Sequence, residues 1–321
     1  RRLDGVRFSF SAKKFVICAG AIESTRLLLL REKAVSSPVS STNGWLGRGF
    51  NDHISVRAAE ILIQNATALN RLIGFRFHGT TMRSHRFELS EEEQKNSRMA
   101  SAWVHVSFEE PEGSAFGTIR KIMQVVQGGA FPSFTSLLGL LADFPYLVRM
   151  FLWRVFSKQL LAPKGSRFFV TLVGEQLPKS DNLIELSEER DLLGVEMPRI
   201  HWKVGQDDLV TLQRTGLLFQ KYWSKYYADS IGHLEWVCDL ESGFNLSSVC
   251  GSDIFHPSGT TRMAELPENG VVDSDLLVFG TNNLYVLSTS VFPNGASANP
   301  TMMLLLLALR LGDNLPETFN K

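Results

Sequence analysis

The stretch that decides the fold begins Phe255-His256-Pro257-Ser258-Gly259-Thr260-Thr261-Arg262-Met263. It continues through Gly270-Val271-Val272-Asp273 and Asn283-Leu284-Tyr285-Val286, and ends Ala298-Asn299-Pro300-Thr301 before an apolar run to Leu311. His256 and Asn299 each lie beside proline and turn-forming residues, so both side chains sit on backbone that can be held rigidly, as proton-coupled chemistry requires. Asparagine favours the N-cap and proline is preorganised at the first helical position, which predicts a helix from Thr301 to Arg310. That helix has almost no polar face, so it is expected to be buried. Its N-terminus carries unpaired N–H groups and partial positive charge, suited to a group that gains negative charge. From the residues alone, Asn299 either merely caps this helix or marks a helix N-terminus set against an electron-rich group. His256 is either a satisfied core histidine or a base, with an unperturbed pKa near ~6.5. Ser258 beside His256 does not make a hydrolase, because the chain has no G-x-S-x-G elbow.

Upstream, Phe15-Val16-Ile17-Cys18-Ala19 reads as a short buried strand, Gly20-Ala21 as a turn and Ile22 to Arg31 as a helix with a leucine face, which is α/β organisation. Trp45 to His53 is a glycine-punctuated loop leading into a strand. From Ser55 to Leu246 the character changes. Val56–Ile63, Phe75–His78, Arg86–Leu89, Ala102–Phe108, Phe168–Gly174 and Leu183–Leu186 are strand-like and separated by polar or turn residues, as in a mainly antiparallel sheet. One helix is expected over Thr135–Leu161, interrupted by Pro145. It is apolar with Arg149, Arg154 and Lys158, and reads either as a membrane-surface or lid helix or as a helix covering the sheet. Another is expected from Asp207 as N-cap, with Leu209, Leu212, Phe219 and Trp223 roughly on one face. The fold class is therefore α/β plus α+β. Residues 1–54 and 247–321 form one discontinuous domain, and 55–246 form a second domain based on the antiparallel sheet flanked by helices.

A chain of 321 residues fits about two domains. With 44% hydrophobic and 21% charged residues it can bury a substantial core. Its 33 basic residues balance 33 acidic ones, which argues against a nucleic-acid partner or an anionic membrane surface. Cys18, Cys238 and Cys250 form neither a disulfide framework nor a zinc site, and lean towards a reducing compartment. Cys18 is expected as a small buried hydrophobe. No two histidines share a metal-ligand spacing, and His53, His78, His85, His105, His201 and His233 are read as structural. The uncharged stretch from Ile122 to Ala142 is too polar for a transmembrane helix. Asp4-Gly5 is a hairpin dipeptide followed by alternating Val6, Phe8 and Phe10, which predicts a strand whose partner would lie further upstream.

The segments Phe15 to Ser24, Gly47-Arg48-Gly49-Phe50-Asn51-Asp52-His53, His256 to Met263, Gly270 to Asp273 and Asn283 to Thr301 occur in the order seen in the glucose–methanol–choline (GMC) oxidoreductases, which the chain resembles over nearly its whole length. Glu175-Gln176-Leu177-Pro178 and Asp191-Leu192-Leu193-Gly194 are similar to the bacterial sugar-type branch. The resemblance implies a partial FAD-binding, Rossmann-like domain, FAD as cofactor, and a small-molecule alcohol or sugar as substrate, with the electron acceptor undefined. It implies His256 as the base that takes the hydroxyl proton while hydride leaves the carbinol carbon for flavin N5, and Asn299 as the hydrogen-bonding partner. By the same resemblance Ala19, Gly20, Ser288, Thr289, Ser290, Asn299, Pro300 and Thr301 line the cofactor. Two departures stand out. Many members carry Asp where this chain has Ser288, the sugar-type branch more often Gly, and no G-x-G-x-x-G fingerprint occurs in these residues. The chain thus resembles the C-terminal part of a longer enzyme. The alternatives are a non-catalytic fragment that holds no FAD by itself, or a lyase on the same scaffold.

Overall fold

The computed structural model describes residues 6, 8–35, 44–129, 131, 133, 138, 140, 143–237, 240, 251–296 and 298–317. Asp4-Gly5, Cys238, Cys250 and the expected domain boundary at 246/247 lie outside these residues. Among them, strands β1 (Phe15–Ile17), β2 (His53–Ile63), β3 (Arg76–His78), β4 (Thr81–Arg83), β5 (Phe87–Glu88), β6 (Ala102–Glu109), β7 (Arg167–Glu175), β8 (Leu183–Arg190), β9 (Glu196–His201), β10 (Gly232–Trp236), β11 (Gly251–Asp253) and β12 (Leu284–Val286) sort into four sheets.

The largest sheet runs β10-β2-β7-β6-β5, with β11 also on β2, and every pairing is antiparallel. The β2–β7 register shifts between Arg57 and Ala59, a bulge that bends the long strand. One face of the sheet is covered by helix α6 (Gln206–Tyr226; α2 to α5 are placed below), which buries Leu212, Phe219 and Trp223 against Val56, Leu172 and their neighbours. Trp223 is 1% exposed and its indole N–H still donates to the Gly232 carbonyl at 2.8 Å, so the ring is buried without orphaning its polar atom. The antiparallel sheet and this apolar face agree with the sequence reading. The helix start differs. Gly205 is the N-cap, and Asp208, not Asp207, accepts the Gly205 N–H at 2.7 Å. Strands β4, β9, β10, β11 and β12 were not anticipated.

A second core gathers Leu28, Leu46, Val272, Leu276, Val286 and Val291 around the parallel pair β1–β12, with Phe15 opposite Leu284 and Ile17 opposite Val286. Helix α1 (Gly20–Ala34) follows β1 directly, so Gly20 opens the helix instead of forming a separate turn, with φ of 75°. Parallel strand, glycine, helix is the α/β unit the sequence predicted.

Four expectations are corrected here. Strand β1 is exposed, with Phe15 and Val16 at 39% and 37%, and Cys18 beyond it is exposed as well. β12 covers one edge of β1, and only Ile17 of the strand is half-buried, against the second core. The C-terminal helix, α7 (Thr301–Glu317), is present but not buried. Leu311 is buried in the second core, while Met302 and Leu309 are both 67% exposed. The described residues Val6, Phe8 and Phe10 form no strand. The helix expected at 135–161 is α5 (Phe144–Ser157), with Pro145 in its first turn, where the missing N–H has no helical partner to lose.

Helices α2 (Ala66–Ile73), α3 (Glu91–Ser97) and α4 (Ala115–Gln127) complete the described helices. Asp143 at the start of α5 accepts the Ala115 N–H at the start of α4. α5 fully buries no side chain, and Phe144, Val148, Phe151, Leu152 and Val155 form an exposed apolar stripe at helical spacing. No described helix is long and apolar enough to cross a membrane.

Candidate active site

The site is built where the two glycine-bearing motifs meet. Asn51 and Ser258 exchange backbone hydrogen bonds at 3.2 and 2.9 Å, Ser258 Oγ donates to Asn51 Oδ1 at 2.6 Å, and the Asn51 amide donates to the Gly49 carbonyl at 2.8 Å. Asn51 and Ser258 are essentially excluded from solvent, so these bonds face little competition from water. This ladder lays Asp52-His53 alongside Phe255-His256. The buried Asp52 carboxylate then accepts the His256 N–H at 3.0 Å from both of its oxygens, and the His53 N–H at 2.6 Å. Phe255 takes φ of 59°, a conformation costly for a non-glycine residue, and its side chain points to solvent at 82% exposure. The Asp52–His256 bonds hold the loop in that conformation.

His53 is buried in β2. Its Nδ1 lies 3.2 Å from His256 Nδ1, its Nε2 lies 2.6 Å from the Ala296 carbonyl oxygen, and its ring packs edge-on against Trp103 at 4.9 Å. Ala296 is fixed in turn, because its N–H donates to the buried Glu175 carboxylate at 2.8 Å. Arg86 stacks over the other partner surface of this cluster, 4.9 Å from the Trp103 ring centroid, and donates to Asn299 Oδ1 at 3.2 Å. His256 and Asn299 therefore line one cavity of about 550 Å³, with Arg86, Trp103, His105 and Ile254. Burial is the first cause holding the His256 pKa below its ordinary value. His53 and Arg86 push the same way, and Asp52 opposes them. Burial likewise lowers His53 and His105. Neutral imidazole is thus the favoured state of all three.

Of the two readings of Asn299, the cap finds no support among the described residues. Its side-chain oxygen serves Arg86, while the first backbone bond of α7 runs from the Leu304 N–H to the Pro300 carbonyl at 2.9 Å. With Oδ1 engaged, the amide NH2 is left as the group Asn299 can offer to the cavity.

The residues set against the cofactor by resemblance divide into two groups. Ala19 and Gly20 are exposed at the carboxyl end of β1, and α1 starts there with no side-chain cap on its first N–H groups. Asn299 and Thr301 are exposed and Pro300 half-buried at the start of α7. Ser288 and Ser290 follow β12 but are buried, with hydroxyls bonded to each other and Ser290 to Thr261 at 2.5 Å, and Thr289 Oγ1 donates to the Pro257 carbonyl at 2.7 Å. The carboxyl ends of adjacent parallel strands are where open α/β sheets place ligands. The start of α1 there has no side-chain cap and offers N–H donors to an electron-rich group. The exposed Ala19 and Gly20 at the α1 start fit an electron-rich group by the chemistry of the helix N–H donors, while Ser288 and Ser290 are tied to the Pro257–Thr261 loop.

Sequence reading assigned no role to Asp52, His53, Arg86 or Trp103. Asp52 and His53 sit inside a quoted motif. Arg86 and Trp103 carried no local signal, since only the β5–β6 pairing of the folded sheet brings them beside Asn299 and His53.

Comparison with known proteins follows the same lines. Residues 178–308 match the family described as GMC oxidoreductase. The 2-methyl-1,2-propanediol dehydrogenase of Mycolicibacterium austroafricanum is 25% identical over 323 residues, covering 98% of this chain and 50% of that protein. Among solved structures, pyridoxine 4-oxidase from Mesorbium loti aligns over 94% of this chain and 51% of its own, with a TM-score of 0.51 and 16% identity. A formate oxidase from Aspergillus oryzae, in a variant studied for its FAD modification, aligns over 95% and 54%, with a TM-score of 0.51 and 15% identity. The structural likenesses speak to the fold alone. The chain spans about half the length of each of these proteins.

Proposed function

We propose that this chain, which belongs to the GMC oxidoreductase family, supplies the redox half of an FAD-dependent enzyme that oxidises a CH–OH group of an alcohol or sugar. One observation carries the reading: His256, its backbone N–H held by Asp52, and Asn299, its side-chain oxygen held by Arg86, come from distant parts of the sequence and line one cavity. In this reading residues 1–54 and 247–321 form the cofactor side and 55–246 the substrate side, supported by the two separate cores.

FAD, when bound, supplies the hydride acceptor. Gly20 and Thr301 would hold it through their N–H groups at the α1 and α7 starts, with Ala19, Pro300, Ser288, Thr289 and Ser290 lining it. His256 takes the proton from the substrate hydroxyl, which it can do because it is neutral at neutral pH. Asn299 donates its amide N–H to the same oxygen and fixes its position. Arg86 holds the amide in that orientation. Arg86→Met should therefore lower kcat/KM by about 2- to 12-fold, the worth of one hydrogen bond, measured with whichever alcohol reduces the enzyme.

The test is anaerobic mixing of the flavin-loaded enzyme with a panel of alcohols, diols and sugars while following the visible absorbance of oxidised flavin. Bleaching by at least one supports the reading, and loaded enzyme that none of them bleaches overturns it. The exposure of β1 and of one face of α7 favours a second reading, in which residues 1–321 alone do not retain FAD. Gel filtration after incubation with FAD decides that point, since co-eluting stoichiometric flavin rejects it.

A further inference from the structure

We infer that His53 is a positioning residue that fixes the tautomer of His256, placing the proton on His256 Nδ1 and the lone pair on Nε2. The inference rests on the reading of His256 as the base, and adds to it the atom that does the work. A backbone carbonyl oxygen only accepts hydrogen bonds. The 2.6 Å contact from His53 Nε2 to the Ala296 oxygen therefore requires the His53 proton on Nε2. A neutral His53 then has a lone pair on Nδ1. Nδ1 faces His256 Nδ1 at 3.2 Å, and two lone pairs cannot face one another there, so His256 must donate from Nδ1. His256 Nε2 is left as an acceptor, and it makes no hydrogen bond among the described residues.

His53 can impose this because it is itself fixed on several sides. It lies in the central sheet, 1% exposed, with Trp103 against its ring and its N–H held by Asp52. The Ala296 carbonyl cannot turn away freely, since the N–H of the same residue is bound to Glu175. Burial disfavours a second proton on His53, which would remove the acceptor. The same logic of wrong-tautomer loss operates in catalytic triads, where a carboxylate orients the base. Here a second imidazole, anchored on a carbonyl, takes that place.

The protein labelled with 15N-histidine gives the direct readout, because long-range 1H–15N correlation spectra distinguish Nδ1–H from Nε2–H imidazole. The His256 signal is assigned from its loss in His256→Gln. The expected result is a neutral Nδ1–H tautomer for His256 and an Nε2–H tautomer for His53. His53→Asn keeps a side-chain oxygen close to the Nδ1 position and should preserve the His256 tautomer and most of kcat. His53→Leu, of similar bulk but without an acceptor, should release the tautomer and lower kcat by about 100-fold with KM little changed. An Nε2–H tautomer of His256 in the unaltered protein overturns the inference, as does an unchanged Nδ1–H signal in His53→Leu. If His53→Leu fails to fold, the unaltered protein and His53→Asn still decide it. Failure of the underlying function shows elsewhere, as a His256→Ala enzyme that is still reduced at the original rate whatever the tautomer.

Discussion

His256→Ala is expected to slow reduction of the bound flavin by about 10³-fold, within the range that a general base contributes, and equivalent to about 4 kcal/mol of barrier. The substitution is clean for a structural reason. Asp52 holds residue 256 through its backbone N–H, which alanine retains, so the loop has no cause to move when the imidazole is removed. The loss should fall on kcat and kcat/KM together, because the side chain acts on a proton that leaves only in the transition state. The pH dependence gives an independent check. A base works when unprotonated, and burial, His53 and Arg86 hold the His256 pKa below the ordinary value near ~6.5. Activity should therefore persist as pH falls through 6.5 by roughly that reference scale, and decline only below it. His256→Ala should flatten that acidic limb. Stopped-flow absorbance across pH measures both effects, and an acidic limb unchanged in the variant would assign it to another group.

Gly259→Ala should be the most damaging single methyl group in the molecule for the site. Gly259 takes φ of 91°, which L-residues with a side chain avoid, and a Cβ there would overlap the Gly49 carbonyl oxygen and crowd the Asn51 amide. None of these neighbours is a flexible chain end, and Asn51 is fully buried. The positive φ costs about 1–3 kcal/mol and the overpacking another 1–3, so a loss of about 2–6 kcal/mol is expected in denaturant unfolding. The joint between the two motifs must open to admit the methyl, and His256, three residues earlier on the same loop, moves with it. Unfolding within 1 kcal/mol of the unaltered protein, by the roughly two-state standard used for single mutants, would show that the joint yields more easily than its geometry implies.

How much of this was legible in the sequence depends on where the information lay. The strand-like runs around Val56, Ala102 and Phe168 became β2, β6 and β7, because short stretches rich in β-branched and aromatic residues between polar or turn residues have few other outcomes. Asn299-Pro300 marked the start of α7 correctly. The burial of that helix was misjudged, because an apolar run says only what a segment would gain by being covered. Whether a partner is present is a tertiary fact, and for Met302 and Leu309 the described residues provide none. Cys18 failed for the same reason. In the site, His256 and Asn299 were visible through their flanking turns and the order of the motifs. Arg86 was not, since an arginine at the head of a short edge strand looks like any solvated charge until β5 pairs with β6 and sets it over Trp103. His53 was passed over because its function comes from one neighbouring nitrogen and one carbonyl, neither of which lies near it in sequence.

The parallel pairing of Phe15–Ile17 with Leu284–Val286 also sets an order of assembly. Strands β2, β6, β7 and helix α6 all come from the middle of the chain and can collapse on one another while the rest is still being synthesised. β1 finds its described partner β12 far along the chain, and closing so long a loop is slow compared with local pairing. Until then α1 has no strand pair to lie on, and the apolar faces of β1 and α1 stay open to wrong partners. The β1–β12 pair is thus expected to form after the antiparallel core. Slower synthesis of the stretch that leads to β12 should lengthen that vulnerable interval without disturbing the antiparallel core already folded.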